Sequence, residues 1–114
     1  MKAPIKRDIF HNGNYLFKHS RNEDCKVIDG NFYINGDADA ERFMDILEVF
    51  GDLIIEGTLY ICKVIVHGNL ICGQIIGGDK IEVDGDVYVS GKLKAKSIIC
   101  KSGDIFYDET LIDG

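Results

Sequence analysis

A repeat of seventeen residues, opening on glycine, then Asp or Asn, then an aliphatic side chain, constrains this chain more than any other feature. It runs Gly51-Asp52-Leu53, Gly68-Asn69-Leu70, Gly85-Asp86-Val87 and, after one inserted residue, Gly103-Asp104-Ile105. A fixed period of this length predicts a solenoid, in which each turn of chain stacks on the one before. The 114 residues suffice for a single domain, and 46% of them are apolar, enough to fill such a stack. Thirteen glycines and a single proline, Pro4, suit strands and turns better than disorder.

Aligning the turns on their first glycine gives apolar columns. Position three reads Leu53, Leu70, Val87, Ile105, and position five Ile55, Cys72, Val89, Tyr107. Position nine reads Leu59, Ile76, Leu93 and, after the slip, Leu111. Positions fourteen and sixteen read Val64, Ile81, Ile98 and Val66, Val83, Cys100. Within each run the apolar residues are two apart, the strand period, so alternate side chains point inward. Three short runs per turn predict a mainly β, triangular β-helix with aliphatic ladders at its centre, and a right-handed winding is preferred. Position eleven (Ile61, Gly78, Ala95) leaves one corner of that core thin.

The glycines mark sharp corners. The Asp or Asn after each can accept from a neighbouring backbone N–H, or the stacked Asp52, Asn69, Asp86 and Asp104 can line up as a cation ladder. Position four is the most informative outward column: Tyr33 (from the earlier turn Gly30–Ile34), Ile54, Ile71, Tyr88 and Phe106. A contiguous exposed apolar stripe marks a contact site. Either the N-terminal segment folds back over it or a partner binds there.

The ends are expected to differ from the repeat. Residues 38–50 carry a helical pattern, with Phe43, Ile46, Leu47 and Phe50 on one face, Asp37 as N-cap and Gly51 just past the end. Such a helix would cap the first edge of the solenoid within a first turn of residues 30–50. Residues 1–29 hold an Asn12-Gly13 hairpin signal between Ile5–His11 and Asn14–His19. Residues 51–114 form the solenoid, and the whole is expected to be one domain. The C-terminal edge, with Tyr107, Leu111 and Ile112, is the expected self-association surface, most simply in a symmetric homodimer.

Function classes narrow by subtraction. A net charge of −6 argues against direct nucleic-acid binding. The charge is uneven: net +3 over residues 1–26, −7 over 27–62, +2 over 63–101 and −4 over 102–114. The acidic blocks suit a basic partner. No apolar stretch approaches a membrane span, and the first residues lack a secretory apolar core. Cys25, Cys62, Cys72 and Cys100 show no CxxC spacing and fit reduced thiols of a cytoplasmic protein. His67 is the one histidine in the repeat, in a column continued by Asp84 and Lys101. No nucleophile–base pattern, phosphate loop, metal set or cofactor motif emerges, so the expectation is a non-enzyme without cofactor.

The runs Gly51-Asp52-Leu53-Ile54-Ile55-Glu56-Gly57 and Gly85-Asp86-Val87-Tyr88-Val89-Ser90-Gly91 resemble the repeats of bactofilins, bacterial polymer-forming cytoskeletal proteins. The resemblance covers about residues 51–105. It implies a triangular right-handed β-helix and a scaffold that assembles end to end through its apolar terminal turns. Because the expected helix and hairpin close one end, the favoured expectation is a capped acidic solenoid binding a protein partner. An inhibitor occupying a basic nucleic-acid-binding surface, such as an anti-defence protein, would be one form of it. The alternative is a bactofilin-like filament subunit.

Overall fold

The computed structural model describes residues 8–17, 25–40 and 45–107. It is a β-solenoid of about five turns. The first turn contributes β1 (Ile9–Asn12), β2 (Tyr15–Phe17) and β3 (Cys25–Ile28). The second contributes β4 (Phe32–Asn35), β5 (Ala38–Ala40) and β6 (Ile46–Val49). In the third, β7 (Leu53–Leu59) bends across two sides before β8 (Lys63–Val66). The fourth repeats this with β9 (Leu70–Gly78) and β10 (Lys80–Val83). The fifth has β11 (Val87–Val89), β12 (Leu93–Ala95) and β13 (Ile98–Cys100), and β14 (Ile105–Phe106) opens the next.

Every pairing is parallel, each strand lying on its counterpart one turn away. The first side stacks β1, β4, β7, β9, β11 and β14, and the third stacks β3, β6, β8, β10 and β13. The expected columns at positions three, five, fourteen and sixteen appear as registered ladders, except for Tyr107, which lies beyond β14 and is exposed. Leu53–Leu70–Val87 and Val49–Val66–Val83 are examples, and every residue in those two is fully buried.

Three expectations are corrected. Among the described residues there is no helix, and the segment expected to be helical from 38 to 50 supplies β5 and β6 instead. Leu47 and Val49 satisfy a two-residue period that points both inward, and β6 is paired on both edges, by β3 and β8. A helix would have buried Phe50, which is half exposed, and left two strand edges bare. Helix propensity differences of under about 1 kcal/mol per residue do not outweigh burying Leu and Val at about 1.5–3 kcal/mol each inside a paired ladder. Phe43 lies outside the described residues.

The N-terminal hairpin is likewise absent. β1 and β2 do not pair with each other; β1 lies parallel on β4 and β2 parallel on β5. Asn12-Gly13 turns a solenoid corner, with Gly13 at φ 91°, instead of reversing the chain. A left-handed glycine serves either geometry, and the aromatic residues of β1 and β2 gain a parallel neighbour only in this one.

The third correction is one of register. Position nine was expected to hold Ile76, but Leu59 and Leu93 both pair with Ile75, which is fully buried. Glu56 and Gly57 oppose the single residue Gly73, a bulge that advances the fourth turn by one residue. Gly77, at φ 81°, and the register shift after Lys94 restore the phase. At the thin corner, a Cβ on Gly78 would lie 2.5 Å from Ile81 Cδ1, so the Ile81 side chain occupies that space.

Candidate interaction face

The first side carries three outward columns. The outermost is the corner column Asp8, Asn31, Asp52, Asn69, Asp86 and Asp104. The Oδ1 of each of the first five accepts from the backbone N–H of the next member, at 3.1, 2.8, 2.8, 2.8 and 2.9 Å along the stack. Of the two roles open to this column, the geometry supplies the backbone-satisfying one. The preceding glycines are required by close approach and not by positive φ. A Cβ on Gly51 would collide with Asn31 Oδ1 and sit 2.7 Å from the Gly30 carbonyl. Among the described residues, no three His, Cys, Asp or Glu side chains are grouped to hold a metal ion.

The middle column is the apolar stripe. Tyr33, Ile54, Ile71, Tyr88 and Phe106 fall in one continuous register. Sequence reasoning missed a sixth member: Phe10 pairs with Tyr33 and is 75% exposed. Its signal was the run Asp8-Ile9-Phe10-His11, which copies Asn31-Phe32-Tyr33-Ile34, but Arg7 stands where the repeat has glycine. Because β1 is a rung of this side, residues 8–17 extend the stripe and do not cover it.

The stripe has relief. Phe10 and Tyr33 meet at one end with ring centroids 5.6 Å apart, and Tyr88 and Phe106 stack at the other at 5.0 Å and 10°. Between them stand the shorter Ile54 and Ile71, and a groove of about 500 Å³ runs beside the stripe, lined by Ile54, Ile71, Tyr88 and Phe106 on one wall and by Glu56 and Ser90 on the other. The third column, Asn12, Asn35, Glu56, Gly73 and Ser90, is small and polar. Tyr33 O–H donates to Glu56, and Tyr88 O–H donates to Asp86 Oδ2 at 3.2 Å. The Glu56 hydrogen bond raises the Tyr33 pKa and the Asp86 charge raises that of Tyr88, so both phenols stay protonated donors. The face carries Asp8, Asp52, Glu56, Asp86 and Asp104 and, among the described residues, no Lys or Arg. Of the expected self-association residues, Tyr107 is exposed at the groove's end, and Leu111 and Ile112 lie outside the described residues.

Groups with chemical potential elsewhere are occupied structurally. On the third side's corner, His67 Nε2 bonds Glu48 Oε2 at 2.8 Å and Nδ1 bonds Asp84 Oδ2 at 3.1 Å, while its ring stacks on Phe50 at 4.5 Å. Lys101 Nζ lies 3.7 Å from Asp84. The Glu48 hydrogen bond raises the His67 pKa, partial burial opposes it, and Asp84 adds to the rise. Both ring nitrogens are thus engaged by carboxylates, and His67 ties neighbouring turns together at this corner. Asp84 and Lys101 were legible in its column; Glu48 and Phe50 were hidden by the helix assignment. The Cys62 thiol is pushed up, first by burial and then by Asp79 and Asp39, with Lys63 opposing. Burial pushes Cys72 up to about 12. Neither has the low pKa of an activated nucleophile. Cys100 Sγ donates to the Gly85 carbonyl at 2.8 Å.

No known protein family, curated protein or solved structure matches the chain. The β-solenoid therefore rests on the structure itself, and the likeness to bactofilin repeats on the two sequence runs alone.

Proposed function

We propose that the protein is a non-enzymatic interaction module that docks its first side on a protein partner with a basic surface. The supporting observation is the stripe from Phe10 to Phe106, six side chains in continuous register, bordered by five carboxylates and by no basic residue among those described. Exposed aromatic anchors supply contact area, and flanking charge selects and orients the partner. Occupying a nucleic-acid-binding surface, and so inhibiting it, is one use of such a face.

Replacing Tyr88 by Asp puts a charge into the stripe without touching the core, since Tyr88 points outward. Binding partners captured by the unmodified protein are expected to be lost with Tyr88→Asp while circular dichroism and Tm stay unchanged. Retention of the same partners by both would remove the stripe from the interaction.

A second reading, a bactofilin-like subunit with right-handed winding that self-assembles, draws support from the uncapped strand edges among the described residues. Among the described residues, β1 pairs only with β4 and β14 only with β11, leaving a strand edge at each end. Solution mass against concentration distinguishes it.

A further inference from the structure

The spacing of the stripe, as well as its charge, restricts what can lie on it. Rungs of a parallel sheet are about 4.8 Å apart, so the six anchors from Phe10 to Phe106 span about 24 Å. A ligand lying along the solenoid axis must repeat its facing side chains at that interval or at twice it. An extended strand repeats its face about every 6.7 Å and is out of step by the second anchor. An α-helix returns to one face after seven residues, about 10.5 Å, nearly 1 Å beyond two rungs. A polyproline II helix has three residues per turn rising about 3.1 Å each, so every third side chain recurs at about 9.3 Å, against about 9.6 Å for two rungs. Its slip over the whole stripe stays below about 1 Å.

Relief and charge agree with that period. Polyproline II ligands seat between projecting aromatic rings. Here the pairs Phe10–Tyr33 and Tyr88–Phe106 stand at either end of the lower Ile54–Ile71 saddle. Arginines in such a ligand find ring faces for their guanidinium planes and carboxylates beside them in Asp52, Glu56 and Asp86. A second copy of the same face would instead set five carboxylates against five. We infer that the first side binds a proline-rich, basic peptide segment in the polyproline II conformation, lying along the solenoid axis. This rests on the reading of the stripe as a docking surface for a basic protein partner.

The test measures fluorescence anisotropy of labelled peptides against the full chain. The probe is Arg-Pro-Pro in three repeats, about 28 Å long when extended. The comparators are Arg-Gly-Gly in three repeats, a basic amphipathic helical peptide, and a neutral β-1,4-linked hexasaccharide. Two double variants are included: Tyr88→Ala with Phe106→Ala, and Asp52→Asn with Asp86→Asn. The second pair removes charge yet keeps the Oδ1 acceptors, as Asn31 and Asn69 already do in the same column.

The expected result is that Arg-Pro-Pro binds about tenfold more tightly than Arg-Gly-Gly, and each variant pair weakens it by about tenfold. Only the Asn pair should also flatten the dependence on salt. If Arg-Gly-Gly or the helical peptide binds as tightly as Arg-Pro-Pro and still loses affinity in the Tyr88→Ala, Phe106→Ala variant, the docking surface stands and the polyproline II assignment falls. If no peptide responds to that variant, or only the hexasaccharide does, both the assignment and the docking reading fall.

Discussion

His67 shows how a single side chain joins four turns. It stands in the third turn, reaches Glu48 in the second and Asp84 in the fourth, and Asp84 in turn meets Lys101 in the fifth. With its folded pKa raised above an unfolded value of about 6.5, the charged form is the one that stabilises. That contribution is present in full below the unfolded pKa and fades as pH rises through the elevated folded one. A third of the side chain is open to solvent, so its worth is discounted to about 0.5–1 kcal/mol. The Tm difference between the unmodified protein and His67→Gln should therefore be larger at mildly acidic than at alkaline pH. Taking this difference cancels the other carboxylates' titration, and one that stays constant with pH would remove the charged tie. The Asp84 and Lys101 end of this network could be read from residues spaced seventeen or so apart. Phe50 sits seventeen residues before His67 in that same column, but assigning it to a helix face removed it from the stack.

At the element scale, two segments separate what a sequence pattern settles from what it leaves open. Residues 46–50 satisfy both a helical face, through Ile46, Leu47 and Phe50, and a strand face, through Leu47 and Val49. Only tertiary pairing with β3 and β8 decides between them. The turn from Asn31 to Asp52 also spans 21 residues against 17 in the next, so its later sides fall out of phase with the repeat and read as helix. In β9 the period was legible and still misled. Counting from Gly68 puts Ile76 inside, whereas the bulge at Glu56-Gly57 puts Ile75 there. Bulges depend on how two rungs fit together, and nothing in one rung announces them. Urea denaturation separates the two registers. Ile75→Ala should cost about 2–4 kcal/mol as a buried truncation, and half-buried Ile76→Ala less than about 1.5 kcal/mol. The opposite order would restore the unbulged register.

For the whole molecule, the parallel stack that makes the interior regular also leaves its two ends unlike. Among the described residues, β1 offers one free edge and β14 the other, and the stripe reaches both through Phe10 and Phe106. Unpaired edges template further strands unless charge or cover prevents it. In sequence, the segments that contain these rungs are opposite in charge: net +3 over residues 1–26 and −4 over 102–114. A symmetric dimer through the C-terminal edge, with Tyr107, Leu111 and Ile112 at its contact, would bring two −4 segments together. A head-to-tail contact pairs +3 with −4, and being heterologous it does not close. Any association through the ends should therefore grow with concentration and weaken as salt screens it. If the ends associate in this way, light scattering behind a sizing column should show a mass above the 12.7 kDa monomer, rising with concentration at low salt and falling back at high salt. A discrete, salt-insensitive dimer would reinstate the symmetric contact. A monomer at every concentration would mean that neither edge recruits a second copy, and the filament reading would fall.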